Sequence, residues 1–262
     1  MTHFGDRLTE VNRRTATPLC MGIDPHITMI PTIFGSVQDG AASDATIRAI
    51  DGFSMACLEQ AIGNVAAIKP QAAFFEQQGP AGMQILQNLG RAAIDAGLLV
   101  IMDAKRGDIG STSTAYASGW IGHDAPFPSD ALTVNPWLGI DTLVPFIDRA
   151  DATGSGLFVL NRTSNRGACD LQDQMVNGQP LYQHLAALLA PLATARRGKS
   201  GNKKWRITRR CAISYSRIWR TRRWCGKSHK RPQPRQAWLG RWANQQHSRP
   251  YLSKKGYCRR IA

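Results

Sequence analysis

The chain has 262 residues, enough for one domain with a sizeable core, and its formal net charge of +15 would ordinarily point to nucleic acid or an acidic surface as partner. That charge is confined to one end: residues 1–195 carry 11 basic and 18 acidic residues, a balance of −7, whereas residues 196–262 carry 22 basic residues and no acid. No run approaches the ~20 apolar residues of a membrane span, the start MTHFGDRLTE is not built like a signal peptide, and the six cysteines show no short paired spacing. A cytoplasmic chain with reduced thiols and no metal centre is therefore expected.

Within residues 1–195 apolar runs of strand length alternate with helical patterns. The first run, 19–23, ends in Asp24-Pro25-His26, so a strand delivers a carboxylate at its tip. Ser43 then caps a helix with Ile47, Ile50, Met55, Leu58 and Ile62 expected on its buried face and Gly63 closing it. A second strand, 65–68, ends in Lys69-Pro70. Phe74-Phe75 follows in a connection and is expected to pack rather than to stack on a base. Pro80 opens a helix carrying Met83, Leu86, Leu89, Ala93 and Ile94, and Gly97 stops it. The third strand, 98–102, gives way abruptly to charge. Beyond it come a helix at 113–121, a strand at 131–134 ending in Asn135-Pro136, and a helix from Asp141 with Leu143, Phe146 and Ile147. The fifth strand, 156–160, ends in Asn161-Arg162-Thr163-Ser164-Asn165. A looser segment to Gly178 precedes a helix at 181–194 with Leu185, Leu188, Leu189 and Leu192 on its buried side. Five βα units of this size predict a parallel α/β architecture with right-handed crossovers, a barrel rather than an open sheet.

The stretch LLVIMDAKRGDIGSTST, residues 98–114, carries the densest chemistry. Residues two apart on an extended chain project to one side, so Asp103 and Lys105 should point together, while Gly107 lets the chain turn and present Asp108. Two carboxylates would then bracket one ammonium. A solvated strand end with a local ion pair would look the same in sequence. Its place at the C-terminal end of a strand, where α/β folds build their sites, favours chemistry.

DAKRGDIGST, with its Asp-x-Lys-x-x-Asp core, resembles the signature of the orotidine 5'-phosphate decarboxylases, specifically their longer bacterial branch. The resemblance extends through FGDRLTE, LCMGIDPH, IKPQAAFFEQQG, VNPWLG and FVLNRTSN to about residue 195. It implies a (β/α)8 TIM barrel and cofactor-free loss of CO2 from orotidine monophosphate to give uridine monophosphate in de novo pyrimidine biosynthesis. It also implies a catalytic network of Lys69, Asp103, Lys105 and Asp108. In the family's homodimer Asp108 would act in the partner's active site, with Ile109 and Thr112 beside it. Asp24 matches the position that holds the ribose hydroxyls, and Ser164 the one that hydrogen-bonds the pyrimidine.

A partial barrel domain at 1–195 and a separate basic tail at 196–262 follow from these patterns. Where three further βα units should come, the tail has no apolar periodicity, and the chain contains no Gly-x-Gly-x-Gln-Gly-Gly phosphate loop. Loss of pattern, acids and resemblance at one point is read as out-of-frame translation, in preference to a nucleic-acid module built on Trp205, Trp219, Trp224, Trp238 and Trp242 or a disordered basic arm. A poorly active or inactive chain is expected, because remote phosphate binding helps drive such chemistry. Two alternatives stand beside the decarboxylase: a nucleic-acid-binding protein acting through the tail, and a related sugar-phosphate decarboxylase using Mg2+. Lys69 argues against the second, since a cation there would repel the metal.

Overall fold

A computed structural model describes residues 2–37 and 43–195, and the predicted boundary at 195 with the basic segment beyond it lies outside the described residues. Helix α1 (Phe4–Thr15) leads into strand β1 (Cys20–Ile23), then α2 (Asp44–Ala61), β2 (Ala67–Pro70), the short α3 (Ala72–Glu76) and α4 (Gly79–Asp95). The order continues with β3 (Leu99–Arg106), α5 (Gly110–Trp120), β4 (Ala131–Val134), α6 (Val144–Thr153), β5 (Gly156–Val159) and α7 (Ala168–Leu171). Strands β6 (Met175–Val176) and β7 (Gln179–Pro180) and helix α8 (Leu181–Ala195) complete it. Strands β1 to β5 pair in parallel in sequence order, the pattern produced by successive βα units.

Alternation along the strands decides what each side of the sheet carries. One side holds Ala67, Leu99, Ile101, Ala131 and Phe158, which form a cluster with Phe4. The alternate residues Ile68, Val100, Met102 and Leu132 are fully buried, and a Cβ on Gly90 of α4 would lie 3.2 Å from the tip of Met102, so that side faces the helices. Two residues on from Ala67, Ile101 and Ala131 come Lys69, Asp103 and Thr133. The apolar inner layer thus hands over to a polar one at the C-terminal strand ends.

Helix α1 covers the other end. Phe4 meets Phe158 edge-on with ring centroids 6.0 Å apart, and it sits so close to Gly156 that a Cβ there would come within 2.5 Å of the ring. Nearby, buried Asp130 takes an ion pair from Arg7, a hydrogen bond from the Val100 N–H at 2.8 Å and a contact with His123 Nε2 at 2.8 Å. Arg7 also donates to the Gly154 carbonyl at 3.2 Å.

Several expectations need correction. Ser43 caps α2 as expected, its hydroxyl accepting the Thr46 N–H at 3.2 Å. The buried face, however, is Thr46, Ala49, Ile50, Phe53, Ser54, Leu58 and Ala61, while Ile62 lies exposed at the helix end. Small residues let the helix approach its neighbours closely, and a search for the largest apolar side chains finds a rotated face. Leu188 of α8 is likewise exposed while Leu189 is buried. The loose segment before Gly178 contains a hairpin: Asn177 and Gly178, at φ 49° and 77°, supply the two left-handed residues of a tight turn between β6 and β7. Strand β3 runs on through the charged residues to Arg106 rather than stopping at Met102. Among the described residues no helix is long and apolar enough to cross a membrane.

Candidate active site

Asp103 is the centre of the polar layer. It is wholly buried, and its two oxygens are shared among groups from three strands. Lys105 Nζ lies 2.7 Å from Oδ1 and Lys69 Nζ 3.3 Å from Oδ2. Gln71 Nε2 donates to Oδ2 at 3.0 Å, and the Thr133 hydroxyl donates to Oδ1 at 3.0 Å. A further parallel bridge between Gln71 and Asp103 carries the β2–β3 pairing past the end of β2. The lysines differ: the Lys69 side chain is 15% exposed and that of Lys105 41%, so the second ammonium stands at the open mouth. Lys105 adopts φ +51°, a conformation uncommon for residues with a Cβ.

Asp24, half-buried at the end of β1, keeps its Oδ1 atom buried with no hydrogen-bond partner among the described residues. Burial pushes its carboxyl above the usual range, Lys69 pulls it back, Asp103 pushes it up again, and His26 and Lys105 pull it down more weakly. Asp24 therefore belongs to the same electrostatic group. His26 packs against Phe74 of α3 with ring centroids 4.0 Å apart and the planes tilted by 54°, while Phe75 is fully buried. Cys20 and Cys57 are free, with their thiols pushed up to about 11 by burial, which leaves them protonated and unreactive at neutral pH.

The expected bracket is inverted. Instead of two carboxylates around one ammonium, one carboxylate lies between two ammoniums. The reason is Gly107, which packs so closely on Asn135 that a Cβ would fall 2.6 Å from its carbonyl oxygen, and past which the chain leaves the sheet. Asp108 beyond it accepts the Ile109 N–H at 2.8 Å, its own carbonyl accepts the Ser113 hydroxyl, and among the described residues no ion pair joins it to Lys105. Ile109 and Thr112 are exposed at the start of α5, and Ser164 is exposed after β5. The structure thus gathers Asp24, Lys69, Asp103 and Lys105 and leaves Asp108, Ile109, Thr112 and Ser164 outside that group.

Two residues were missed in sequence, Gln71 and Thr133. Both were findable: Gln71 follows Lys69 by two positions, and Thr133 is the one polar residue in the run Ala131-Leu132-Thr133-Val134. Among the described residues no three His, Cys, Asp or Glu are grouped to hold a metal ion.

A family model described as orotidine 5'-phosphate decarboxylase / HUMPS matches residues 17–196. The chain belongs to this family. It is 41% identical over 205 residues to an orotidine 5'-phosphate decarboxylase of Rhodopirellula baltica, covering 77% of this chain and 68% of that protein. The corresponding protein of Corynebacterium glutamicum is 42% identical over 205 residues, covering 76% and 69%. Among solved structures, a candidate orotidine 5'-phosphate decarboxylase of Streptomyces avermitilis matches with a TM-score of 0.66 at 39% identity, over 75% of this chain and 66% of that one. An OMP decarboxylase of Leishmania donovani matches with a TM-score of 0.55 at 36% identity, over 71% and 64%. The chain thus spans about two thirds of the length of these relatives. The five βα units are those of the decarboxylase TIM barrel. Neither the expectation of a poorly active chain nor the nucleic-acid and sugar-phosphate alternatives is borne out by these relatives, which are orotidine 5'-phosphate decarboxylases.

Proposed function

We propose that the chain is a cytoplasmic carboxy-lyase that converts orotidine 5'-phosphate to uridine monophosphate and CO2 in pyrimidine biosynthesis. The observation that carries this is buried Asp103 between Lys69 and Lys105 at the strand ends. Loss of CO2 from C6 of the pyrimidine leaves a carbanion in the ring, and a cation beside C6 opposes that charge as it develops and then delivers a proton. Lys105, the more exposed ammonium, takes this role. Lys69 and Gln71 hold Asp103 in place, and Asp103 adds repulsion against the substrate carboxylate, a smaller contribution than the field of Lys105. The open oxygen of Asp24 accepts a ribose hydroxyl, and Ser164 meets the pyrimidine.

The active form is a homodimer in which Asp108, with Ile109 and Thr112, completes the partner's site. Exposed apolar residues at the loops after β3 and β4 support this: Ile109 is 61%, Trp137 66% and Leu138 54% exposed, side chains that a partner subunit would cover. Such a dimer also explains why Asp108 stands apart from Lys105 within one chain.

The decline in absorbance of orotidine 5'-phosphate tests the reading. Turnover by the wild-type chain and its loss in Lys105→Ala are expected; an inert wild type, or a fully active Lys105→Ala, overturns it. Mixing inactive Asp108→Asn and Lys105→Ala proteins tests the dimer, since a hybrid in which one site has both residues regains activity only if the two come from different subunits.

A further inference from the structure

The mechanism leaves the hydroxyl of Thr133 unused. Strands β3 and β4 pair at Ile101–Ala131 and Met102–Leu132, and next at Arg106–Val134, so residues 103, 104 and 105 lie opposite the single residue Thr133. A bulge of this kind strips backbone groups of their ladder partners. Here the Lys105 N–H is taken up by Thr133 Oγ1 at 2.9 Å. The same hydroxyl donates to Asp103 Oδ1 at 3.0 Å, with the Met102 carbonyl a second acceptor at 3.4 Å. Asp103 Oδ1 is also the atom that Lys105 Nζ meets at 2.7 Å. One side chain therefore touches both the backbone of the lysine and the carboxylate its ammonium rests on. Thr133 is buried at 2% exposure, so bulk water cannot stand in for the hydroxyl. The left-handed backbone of Lys105, uncommon for a residue with a Cβ, needs some such restraint.

We infer that Thr133 is a positioning residue: its hydroxyl locks the bulge that aims Lys105, tying the lysine backbone to Asp103. The kinetic half of this inference rests on the decarboxylase reading; the geometric half does not. A β-branched residue suits the task, because its restricted χ1 keeps the hydroxyl on the bulge. Valine has the same shape without the donor, and serine keeps the donor without the methyl, so the pair separates hydrogen bonding from packing.

The test reads hydrogen exchange of the Lys105 amide by NMR, together with kcat and KM for orotidine 5'-phosphate, in wild type, Thr133→Val, Thr133→Ala and Thr133→Ser. In Thr133→Val the Lys105 amide is expected to exchange on the order of tenfold faster, and kcat to fall on the order of 10- to 100-fold with little change in KM, the signature of a misaimed group. Thr133→Ser should restore both to near wild type. Thr133→Ala, which introduces no new bulk, should resemble the valine variant and replaces it if valine does not fold. Unchanged Lys105 protection in the hydroxyl-free variants, or a serine variant as damaged as they are, overturns the inference. If the wild type turns nothing over, the decarboxylase reading falls, while the amide exchange still decides whether Thr133 holds the bulge.

Discussion

The sheet buries one carboxylate at each end, and the two are handled differently. Asp130, 1% exposed, is met by the guanidinium of Arg7, a backbone N–H from Val100 and the ring of His123. These partners come from α1, the start of β3 and the loop after α5, so the residue ties the first helix to the sheet. Asp103, 0% exposed, is met by two lysines, an amide and a hydroxyl, all from strands or strand ends. Beside it lies a second carboxylate, Asp24, with an oxygen that has no partner among the described residues. A buried acid whose donors are fixed fastens the fold. A buried acid whose donors are flexible ammoniums at an open mouth, crowded by another acid, stores electrostatic tension that a substrate can use. The same chemical unit serves architecture at one end and chemistry at the other.

That contrast can be broken by mutation. The largest effect belongs to Lys105→Ala: turnover should drop by at least about 10³-fold, while the urea midpoint barely moves. A comparable loss of stability would mean that Lys105 is structural. Next comes Asp130→Ala, which leaves Arg7, His123 and the Val100 N–H facing a void. It should cost about 3 kcal/mol in urea unfolding and leave kcat of the folded enzyme within about twofold; a selective fall in kcat would erase the distinction between the ends.

Asp24→Asn should reduce kcat/KM about tenfold, the worth of one hydrogen bond to a charged group, and at the same time stabilise the protein. The sign follows from the raised carboxyl of Asp24. The folded state holds its proton to higher pH than the unfolded state, so wild-type stability falls as pH rises above 3.8 and stays lower at neutral pH. Asparagine removes that penalty, and its advantage in urea midpoint should vanish as pH drops below 3.8. An equal advantage at all pH values would place its origin in packing. The smallest effect is that of His123→Ala, whose ring is half exposed: below about 1 kcal/mol in stability, with kcat unchanged.

Much of the sheet was legible because strand tips change chemistry sharply. Asp24, Lys69 and Asp103 each follow an apolar run, and the strand limits read from those runs fall within a residue or two of the observed ones, except in β3. There the bulge at Asp103 to Lys105 keeps charged residues in the sheet, and a bulge has no signature in hydrophobicity. Asp103 and Lys105 do meet, as read from alternation, but it is the bulge with its left-handed Lys105, not an extended strand, that brings them together. Alternation could not tell that Asp108, past Gly107, would turn away, because that depends on the close approach to Asn135. Thr133 escaped notice because threonine is an ordinary strand former, and the hairpin at Asn177-Gly178 because its strands are two residues each. The buried face of α2 was misjudged because alanine, serine and threonine define it as much as the large apolar residues do.

The docking of α1 also sets an order of events during synthesis. Arg7 finds its acceptor at Gly154, 147 positions later, and Phe4 its ring neighbour at Phe158. An emerging chain makes this helix before any strand of the sheet and can use it only after the fifth strand has left the ribosome. Until then an amphipathic segment waits undocked, and loop closure over this distance makes the final seal slow relative to the local βα pairings. A helix translated ahead of the whole sheet is thus seated only after its fifth strand.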